Sequence, residues 1–287
     1  MIAYLLSLNK EADITKQWDF GLLKDTLQDI GAEMQSCVSL PKAERGIVVL
    51  PARHHKTIES KVNKELQKLD HVVLFLMGDE EADFDISKIQ HKSIHIWVQN
   101  PHIGKHDDYN KIGTGYPQHL SDMKVEQLEK DIEVFFAGQV THNRRVELSE
   151  ALDLMEAAIP GSVMRYESQG FTQGLEPKDY YSKMARTKVA PCPSGAVIPD
   201  SFRLFEALEC MCLVVADNKT PAGDEMEYWD WLFDQIVPFP KLTNWYNIKE
   251  LYKELMENYP TNLHHQTAWY LRWKRQLRHK ILEQYNG

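Results

Sequence analysis

The sequence has no long apolar run, few cysteines and no excess of positive charge. No apolar stretch approaches the ~20 residues that a membrane-spanning helix needs. The first ten residues, MIAYLLSLNK, are too short and too uncharged at their start for a signal peptide. These features predict a cytoplasmic protein without membrane insertion. A formal net charge of −9 argues against a dedicated nonspecific nucleic-acid binder, which would carry a strongly basic face, but a local basic groove stays open.

Cysteine is scarce, and its spacing does not indicate a metal site. The four cysteines are Cys37, Cys192, Cys210 and Cys212. The single residue between Cys210 and Cys212 is not the two-residue spacing of a zinc knuckle, so we expect buried free thiols in a reducing compartment. The histidine-containing clusters show no recognised metal-ligand spacing either. The sequence therefore predicts neither a metal nor a bound cofactor.

What the sequence does contain is a regular alternation of strand and helix signals over 287 residues. In the first part, short apolar runs at 2–8, 46–50, 71–77 and 93–98 alternate with amphipathic stretches at 20–34 and 57–69. Such alternation predicts βαβ units and a parallel sheet. A polar, glycine-containing stretch at 101–121 follows and is the candidate connection between domains.

A second alternating series begins at residue 133. It predicts strands at 133–137, 162–166, 189–192 and 213–216, and helices at Asn143–Ala158, Pro177–Ala185, 248–258 and 262–285. We therefore predict an α/β protein with two Rossmann-like domains facing a cleft, with ligands near the carboxyl ends of the strands. The predicted domains are 1–118 and 119–260. A C-terminal helix, 261–287, would pack across both.

Residues 189–216 are the most informative segment. A short apolar strand leads through a proline- and glycine-rich loop into a helix for which Asp200 or Ser201 is a good N-cap. The amino end of a helix attracts phosphates, and Arg203 would add a charge-assisted contact. Glu206 lies on the same helix face, where its carboxylate would accept hydrogen bonds from two ribose hydroxyls. This pattern predicts a site for a nucleoside diphosphate.

A second strand–loop–helix segment also suggests an anion. Gly138 stands at the end of the predicted strand at 133–137, where a glycine lets the backbone approach a ligand closely. Arg144 and Arg145 lie in the first turn of the next helix, where the helix dipole disfavours cations. Either an external anion compensates for this arrangement, or the two arginines face solvent.

These segments resemble a known family. The string CPSGAVIPDSFRLFEALECMCLVVAD resembles the donor-site segment of exostosin-type glycosyltransferases and, more loosely, the donor helix of other two-Rossmann-domain (GT-B) transferases. The matching positions are Ser194, Gly195, Ser201, Arg203, Glu206, Ala207 and Leu208, with Arg145 and Leu148 in the earlier segment. The resemblance covers residues 78–217, and only 189–216 is specific. Glu209-Cys210-Met211 departs from it, because many relatives carry a glycine there.

The resemblance implies a GT-B fold and transfer of a sugar from a nucleotide donor, expected to be UDP-linked, to an acceptor hydroxyl, without a divalent cation. In such a fold, domain 1–118 would bind the acceptor and domain 119–260 would bind the donor. The exostosin type implies inversion at the anomeric carbon, whereas other GT-B families retain. The donor-binding residues would be Gly138, Arg144, Arg145, Ser194, Gly195, Asp200, Ser201, Arg203 and Glu206. In this scheme Arg145 and Arg203 would stabilise the leaving diphosphate.

Two polar groups follow predicted strands of the first domain. Asp79 and Glu80 come directly after the strand at 71–77, where either carboxylate would suit a general base that activates the acceptor, or would simply belong to a solvated turn. A basic group would bind an anionic acceptor: Arg53, His54 and Lys56 after the second strand, with His102 and Lys105 after the fourth.

The sequence does not decide the identity of the acceptor. One leading candidate is a hydroxymethylated base in phage DNA, which would have to be flipped out of the stack. The other is a glycan of bacterial surface polysaccharide synthesis. Two further classes also fit the sequence: a phosphorylase or epimerase on the same scaffold, and a non-catalytic nucleotide-binding module.

Overall fold

A computed structural model describes residues 1–8, 13–55, 59–100, 109–123, 126, 128–170 and 173–287, with Lys16 and Glu59 described by their backbone alone. The chain is an α/β protein with two parallel sheets, which confirms that part of the prediction. Two compact units are present. Unit 1 comprises Met1–Ser121 and Trp273–Gly287, and unit 2 comprises Asp122–Arg272.

Unit 1 contains a six-stranded parallel sheet in the order β2-β1-β3-β4-β5-β6. Its strands are β1 (Ile2–Leu6), β2 (Glu33–Cys37), β3 (Ala43–Pro51), β4 (Leu69–Met77), β5 (Ile94–Val98) and β6 (Asn110–Lys111). Its helices are α1 (Gly21–Asp29), α2 (Glu59–Leu66) and α3 (Gln118–Ser121). The central strands β3 and β4 are apolar and buried over most of their length, as expected for parallel strands that are covered on both faces.

Unit 2 contains a five-stranded parallel sheet in the order β11-β10-β9-β7-β8. Its strands are β7 (Ile132–Gln139), β8 (Val163–Ser168), β9 (Thr187–Cys192), β10 (Leu213–Asp217) and β11 (Lys241–Leu242). Its helices are α4 (Asn143–Ala158), α5 (Pro177–Ala185), α6 (Phe202–Glu209), α7 (Tyr228–Phe233) and α8 (Ile248–Glu257). The last helix, α9 (Tyr259–Asn286), belongs to unit 2 up to Arg272 and to unit 1 from Trp273.

Each sheet has a topological switch point. In unit 1 the chain moves from β1 to the outer strand β2 and then crosses back to β3, and in unit 2 it moves from β7 to β8 and back to β9. In open α/β sheets, ligands bind beyond the carboxyl ends of the two strands that flank this reversal. The expected ligand positions are therefore the carboxyl ends of β1 and β3 in unit 1, and of β7 and β9 in unit 2.

In unit 1 a buried imidazole joins the ends of β1 and β3. The backbone N–H of Leu8 donates to Nε2 of His55 at 3.1 Å, so Nε2 must be unprotonated. The proton is then on Nδ1, which donates to the carbonyl of Pro51 at 2.9 Å. His55 is thus a neutral structural histidine, and burial lowers its pKa.

Because His55 is buried and neutral, we expect the free energy of unfolding to fall in mild acid. The unfolded chain takes up a proton at His55 near pH 6.5, whereas the folded chain resists it. The contribution of neutral His55 to the free energy of unfolding is therefore complete above about pH 6.5. It declines as the pH falls from there towards the lowered pKa of His55 in the folded chain. Urea unfolding between pH 7.5 and 5 should show this slope.

The matched variant is His55→Gln, whose amide has an acceptor for Leu8 and a donor for Pro51 but does not titrate. The pKa values of His95 and His142 are also lowered by burial, so a residual slope should remain in this variant. Identical pH slopes in the two proteins would contradict the role of His55.

Among the described residues, no helix combines the length and apolar character needed to cross a membrane.

Candidate anion-binding site

Two helices of unit 2 begin at its switch point. α4 starts after the end of β7, with His142 as its N-cap residue, and α6 starts after the loop that follows β9, with Ser201 as its N-cap residue. Neither N-cap side chain hydrogen-bonds to its helix, and neither first turn contains an acidic residue. Nε2 of His142 lies 3.2 Å from the carbonyl oxygen of Ser194, which brings the start of α4 to the loop before α6. The positive ends of both helix dipoles therefore lie at the switch point.

Two guanidinium groups lie at the same place. Arg145 donates from Nε to the Ser194 carbonyl and from Nη1 to the Gln139 carbonyl, each at 3.2 Å. Arg203 donates from Nη2 to the carbonyl of Ala137, at the end of β7, and its guanidinium lies 4.7 Å from the ring centroid of Phe136. Within the described part of the chain, neither arginine forms an ion pair.

The electrostatics of this pair favour an anionic ligand. Arg203 is only 8% exposed, and its Nε is buried without a hydrogen-bond partner among the described residues. Burial, together with the charge of Arg203, lowers the pKa of Arg145 to about 10, so Arg145 remains cationic at neutral pH. Holding two desolvated like charges together is unfavourable unless an opposite charge compensates for them. An anion at this point would supply that charge.

The structure places Arg144 elsewhere. Its Nε and Nη2 donate to Asp217, with Nη2 at 2.8 Å from Oδ1, and Nη1 donates to Glu147. Arg144 is 3% exposed and Asp217 is fully buried. Arg144 and Arg145, which were predicted to bind the ligand together, therefore have separate roles. The side chains of consecutive helix residues point about 100° apart around the helix axis. We assign Arg144 to an internal ion pair, not to ligand binding.

Asp217 organises the loop that follows β9, and the sequence analysis did not identify it. Its carboxylate accepts from the backbone N–H and the hydroxyl of Ser194, at 3.2 and 3.0 Å, and from the indole N–H of Trp245 at 3.1 Å. The available signal was an acidic residue that ends the otherwise apolar strand β10. Through Ser194, Asp217 fixes the loop to which Arg145 and His142 are bonded.

Two glycines allow close packing around the site. A Cβ atom on Gly138 would lie 2.5 Å from Nη2 of Arg203, so this glycine lets the guanidinium approach the end of β7. A Cβ atom on Gly195 would overlap the carbonyl oxygen of Asp200, so that glycine lets the loop fold tightly over residues 195–200. Gly195 is therefore required for a steric reason, whereas a side chain at position 138 would displace the end of the flexible Arg203 side chain.

The other predicted loop residues also have internal partners. Ser194 is buried against Asp217, and Ser201 donates from its hydroxyl to the carbonyl of Pro193 at 3.2 Å. Asp200 is 3% exposed and accepts a hydrogen bond from the hydroxyl of Tyr228 at 2.7 Å. These side chains shape the loop, and a contact of any of them with a ligand stays a prediction.

Glu206 lies one turn beyond Arg203 and has two tyrosine partners. Tyr180 donates to one carboxylate oxygen at 2.8 Å, and Tyr181 donates to the other at 2.6 Å. Glu206 is 7% exposed. Burial and the negative charge of Glu206 raise the pKa of both tyrosines, so their hydroxyls stay protonated as donors. The ribose contact of Glu206 stays a prediction, and it would be made by a carboxylate that α5 already holds in position.

In unit 1 the two predicted catalytic residues, Asp79 and Glu80, differ in burial and in their partners. Asp79 is 4% exposed, and its carboxylate accepts from the backbone N–H of Phe84 at 3.0 Å, which fixes the turn after β4. Glu80 is about half exposed and lies 3.8 Å from a guanidinium nitrogen of Arg53. Asp79 is thus placed as a turn-forming residue and Glu80 as a solvated one.

The predicted acceptor-binding group is only partly described. Arg53 donates to the Gly78 carbonyl at 3.2 Å, and Nε2 of His54 lies 3.4 Å from the side-chain nitrogen of Gln17. Lys56, His102 and Lys105 lie outside the described residues.

One carboxylate at this edge of unit 1 was missed. Asp19 lies in the 3-10 turn Trp18–Phe20, is 8% exposed, and has a pKa that burial raises. No sequence pattern singled it out, because it lies in a connecting segment far along the chain from β4.

Compared with known proteins, the sequence matches no protein-family model and has no significant match among curated proteins.

Proposed function

We propose that this chain is a glycosyltransferase of the GT-B class that transfers a sugar from a nucleotide donor to an acceptor hydroxyl. The observation that carries the proposal is the pair of desolvated arginines, Arg145 and Arg203, at the switch point of unit 2, without an ion-pair partner among the described residues. A diphosphate carries enough negative charge to compensate both. The resemblance of residues 189–216 to exostosin-type donor segments favours a nucleotide sugar over other diphosphates.

In the proposed reaction, the bond between the anomeric carbon and the diphosphate breaks, and negative charge develops on the leaving diphosphate. The two guanidiniums and the first-turn N–H groups of α4 and α6 would stabilise that charge in a largely desolvated site. Glu206 would accept hydrogen bonds from the ribose hydroxyls, with its orientation fixed by Tyr180 and Tyr181. Unit 1 would bind the acceptor.

The donor site is tested by replacing its arginines one at a time. Arg145→Ala and Arg203→Ala should each weaken binding of UDP or another nucleoside diphosphate by about 1.5–3 kcal/mol, the usual contribution of a hydrogen bond to a charged group. Calorimetry measures the affinities. Arg165→Ala is the matched control, because Arg165 is already ion-paired with Asp153 at 2.7 Å. Unchanged affinity in both site variants would remove these arginines from the site.

The acceptor class is tested by a transfer assay. A screen of nucleotide sugars should be followed by transfer to hydroxymethylcytosine-containing DNA and to glycan acceptors. Transfer to DNA that weakens steeply with salt would indicate phosphate contacts and the DNA acceptor. Transfer to glycans with little salt dependence would indicate polysaccharide synthesis. Diphosphate binding without transfer to any acceptor would favour a non-catalytic nucleotide-binding module.

A further inference from the structure

Asp19 lies over the carboxyl ends of β4 and β5 in unit 1. Its Oδ2 is 3.7 Å from the position that a Cβ on Gly78 would occupy, and Gly78 directly follows β4. The side-chain amide of Gln99, directly after β5, lies 3.4 Å from the Asp19 carbonyl oxygen. A residue from the segment after β1 is thereby brought to the strand ends where the sequence analysis placed the acceptor.

Asp19 differs from the acidic residues next to it. Asp79 accepts hydrogen bonds from the backbone of its own turn, and Glu80 is half exposed beside Arg53. Asp19 is 8% exposed, and in the described ranges it has no ion-pair partner. A carboxylate that is buried to this extent is uncommon in proteins, and buried titratable groups with perturbed pKa values cluster at functional sites.

Among the described residues, the charged and titratable groups next to Asp19 or its neighbours Gln17 and Gly78 come from two segments. Glu80 follows β4 and adds its negative charge. Arg53 and His54 follow β3, where Arg53 donates to the Gly78 carbonyl and His54 contacts Gln17. Burial is the main cause of the raised pKa of Asp19, and hydrogen bonding from Gln99 and Gly78 partly opposes it. A carboxylate whose pKa is raised towards the working pH is a stronger base than an ordinary aspartate.

We propose that Asp19 is the general base that takes the proton from the acceptor hydroxyl, an inference that rests on the proposed glycosyltransferase function. As the acceptor O–H bond breaks, its proton passes to the Asp19 carboxylate, and the acceptor oxygen forms the new bond to the anomeric carbon. The electron pair of the bond to the donor phosphate leaves with the diphosphate. Asp19 returns the proton to solvent after the product departs.

The test is Asp19→Asn, which preserves the shape of the side chain and removes the base. We expect kcat to fall by roughly 100-fold or more, the usual contribution of general base catalysis. The KM for the nucleotide sugar and the affinity for UDP should stay within twofold, because the donor residues belong to unit 2. The thermal unfolding midpoint shows whether the variant is folded, and Asp19→Glu, which keeps a carboxylate, should recover part of the lost rate.

The pH profile separates a base from a structural residue. Wild-type kcat/KM should fall on the acid side as Asp19 becomes protonated, and Asp19→Asn should lose that limb. Glu80→Gln should move the limb to lower pH, since it removes a neighbouring negative charge that raises the pKa of Asp19. Asp70→Asn is the control, because Asp70 forms an exposed pair with Lys92 and should leave the profile unchanged.

Two results would overturn the proposal, and they are distinguishable. A folded Asp19→Asn protein that keeps more than a tenth of wild-type kcat, or the acid limb, would overturn the role of Asp19 alone. A wild-type protein that neither binds UDP or other nucleoside diphosphates nor transfers a sugar would overturn both this role and the glycosyltransferase function.

Discussion

Replacing Asp217 by alanine should lower the free energy of unfolding by about 3–5 kcal/mol, the usual effect of removing one partner of a buried ion pair. Asp217 is fully buried, and its loss leaves the Arg144 guanidinium in the interior without its main counter-charge. The Ser194 backbone N–H and the Trp245 indole N–H lose an acceptor in the same step. Urea unfolding monitored by circular dichroism measures the change.

Two further variants make this prediction specific. Arg144→Met should have a smaller effect, because Asp217 keeps three N–H donors: the Ser194 and Lys219 backbone N–H groups and the Trp245 indole. Asp153→Ala removes a mostly exposed partner of Arg165 and should change stability by less than about 1 kcal/mol. If Asp217→Ala were no more destabilising than Asp153→Ala, the carboxylate would not organise this part of unit 2.

The second large effect is expected at Glu206. Glu206→Ala leaves the hydroxyls of Tyr180 and Tyr181 without their charged acceptor, and should lower the free energy of unfolding by about 3 kcal/mol. Glu206→Gln keeps one carbonyl acceptor and the shape of the side chain, so it should destabilise less. The ribose hypothesis is therefore best tested with Glu206→Gln, in which a loss of affinity is not confounded by unfolding.

The two hydrogen-bond donors to Glu206, Tyr180 and Tyr181, can be replaced in the same way. In Tyr180→Phe and Tyr181→Phe one donor is removed and the carboxylate stays. If the hydroxyls serve only to orient Glu206, each phenylalanine variant should weaken nucleotide-sugar binding less than Glu206→Gln does. Stability of Glu206→Ala equal to that of the wild type would show that the two hydrogen bonds contribute nothing to folding.

The sequence determined the parallel α/β class and most elements of both sheets. The prediction of Asn143–Ala158 and Pro177–Ala185 as helices is confirmed to the residue, since periodicity, a proline at the start of the second helix and flanking loop residues all agree. The prediction failed at β2, where the region to residue 34 was expected to be helical but the helix ends at Asp29. Strand β2 (Glu33–Cys37) is an edge strand with much of its surface exposed, so it has no apolar pattern to reveal it.

The candidate site was also predicted only in part from the sequence. Local spacing singled out Arg145, Arg203 and Glu206, because each belongs to a strand–loop–helix segment whose helix start attracts anions, and the structure brings the two arginines to the end of β7. It could not tell Arg144 from Arg145, because that depends on Asp217, which is distant along the chain and meets Arg144 only when β10 pairs with β9. The same reason hid Asp19. Which carboxylate is ion-paired and which has no ion-pair partner among the described residues is decided by contacts between distant segments, and only the tertiary structure contains them.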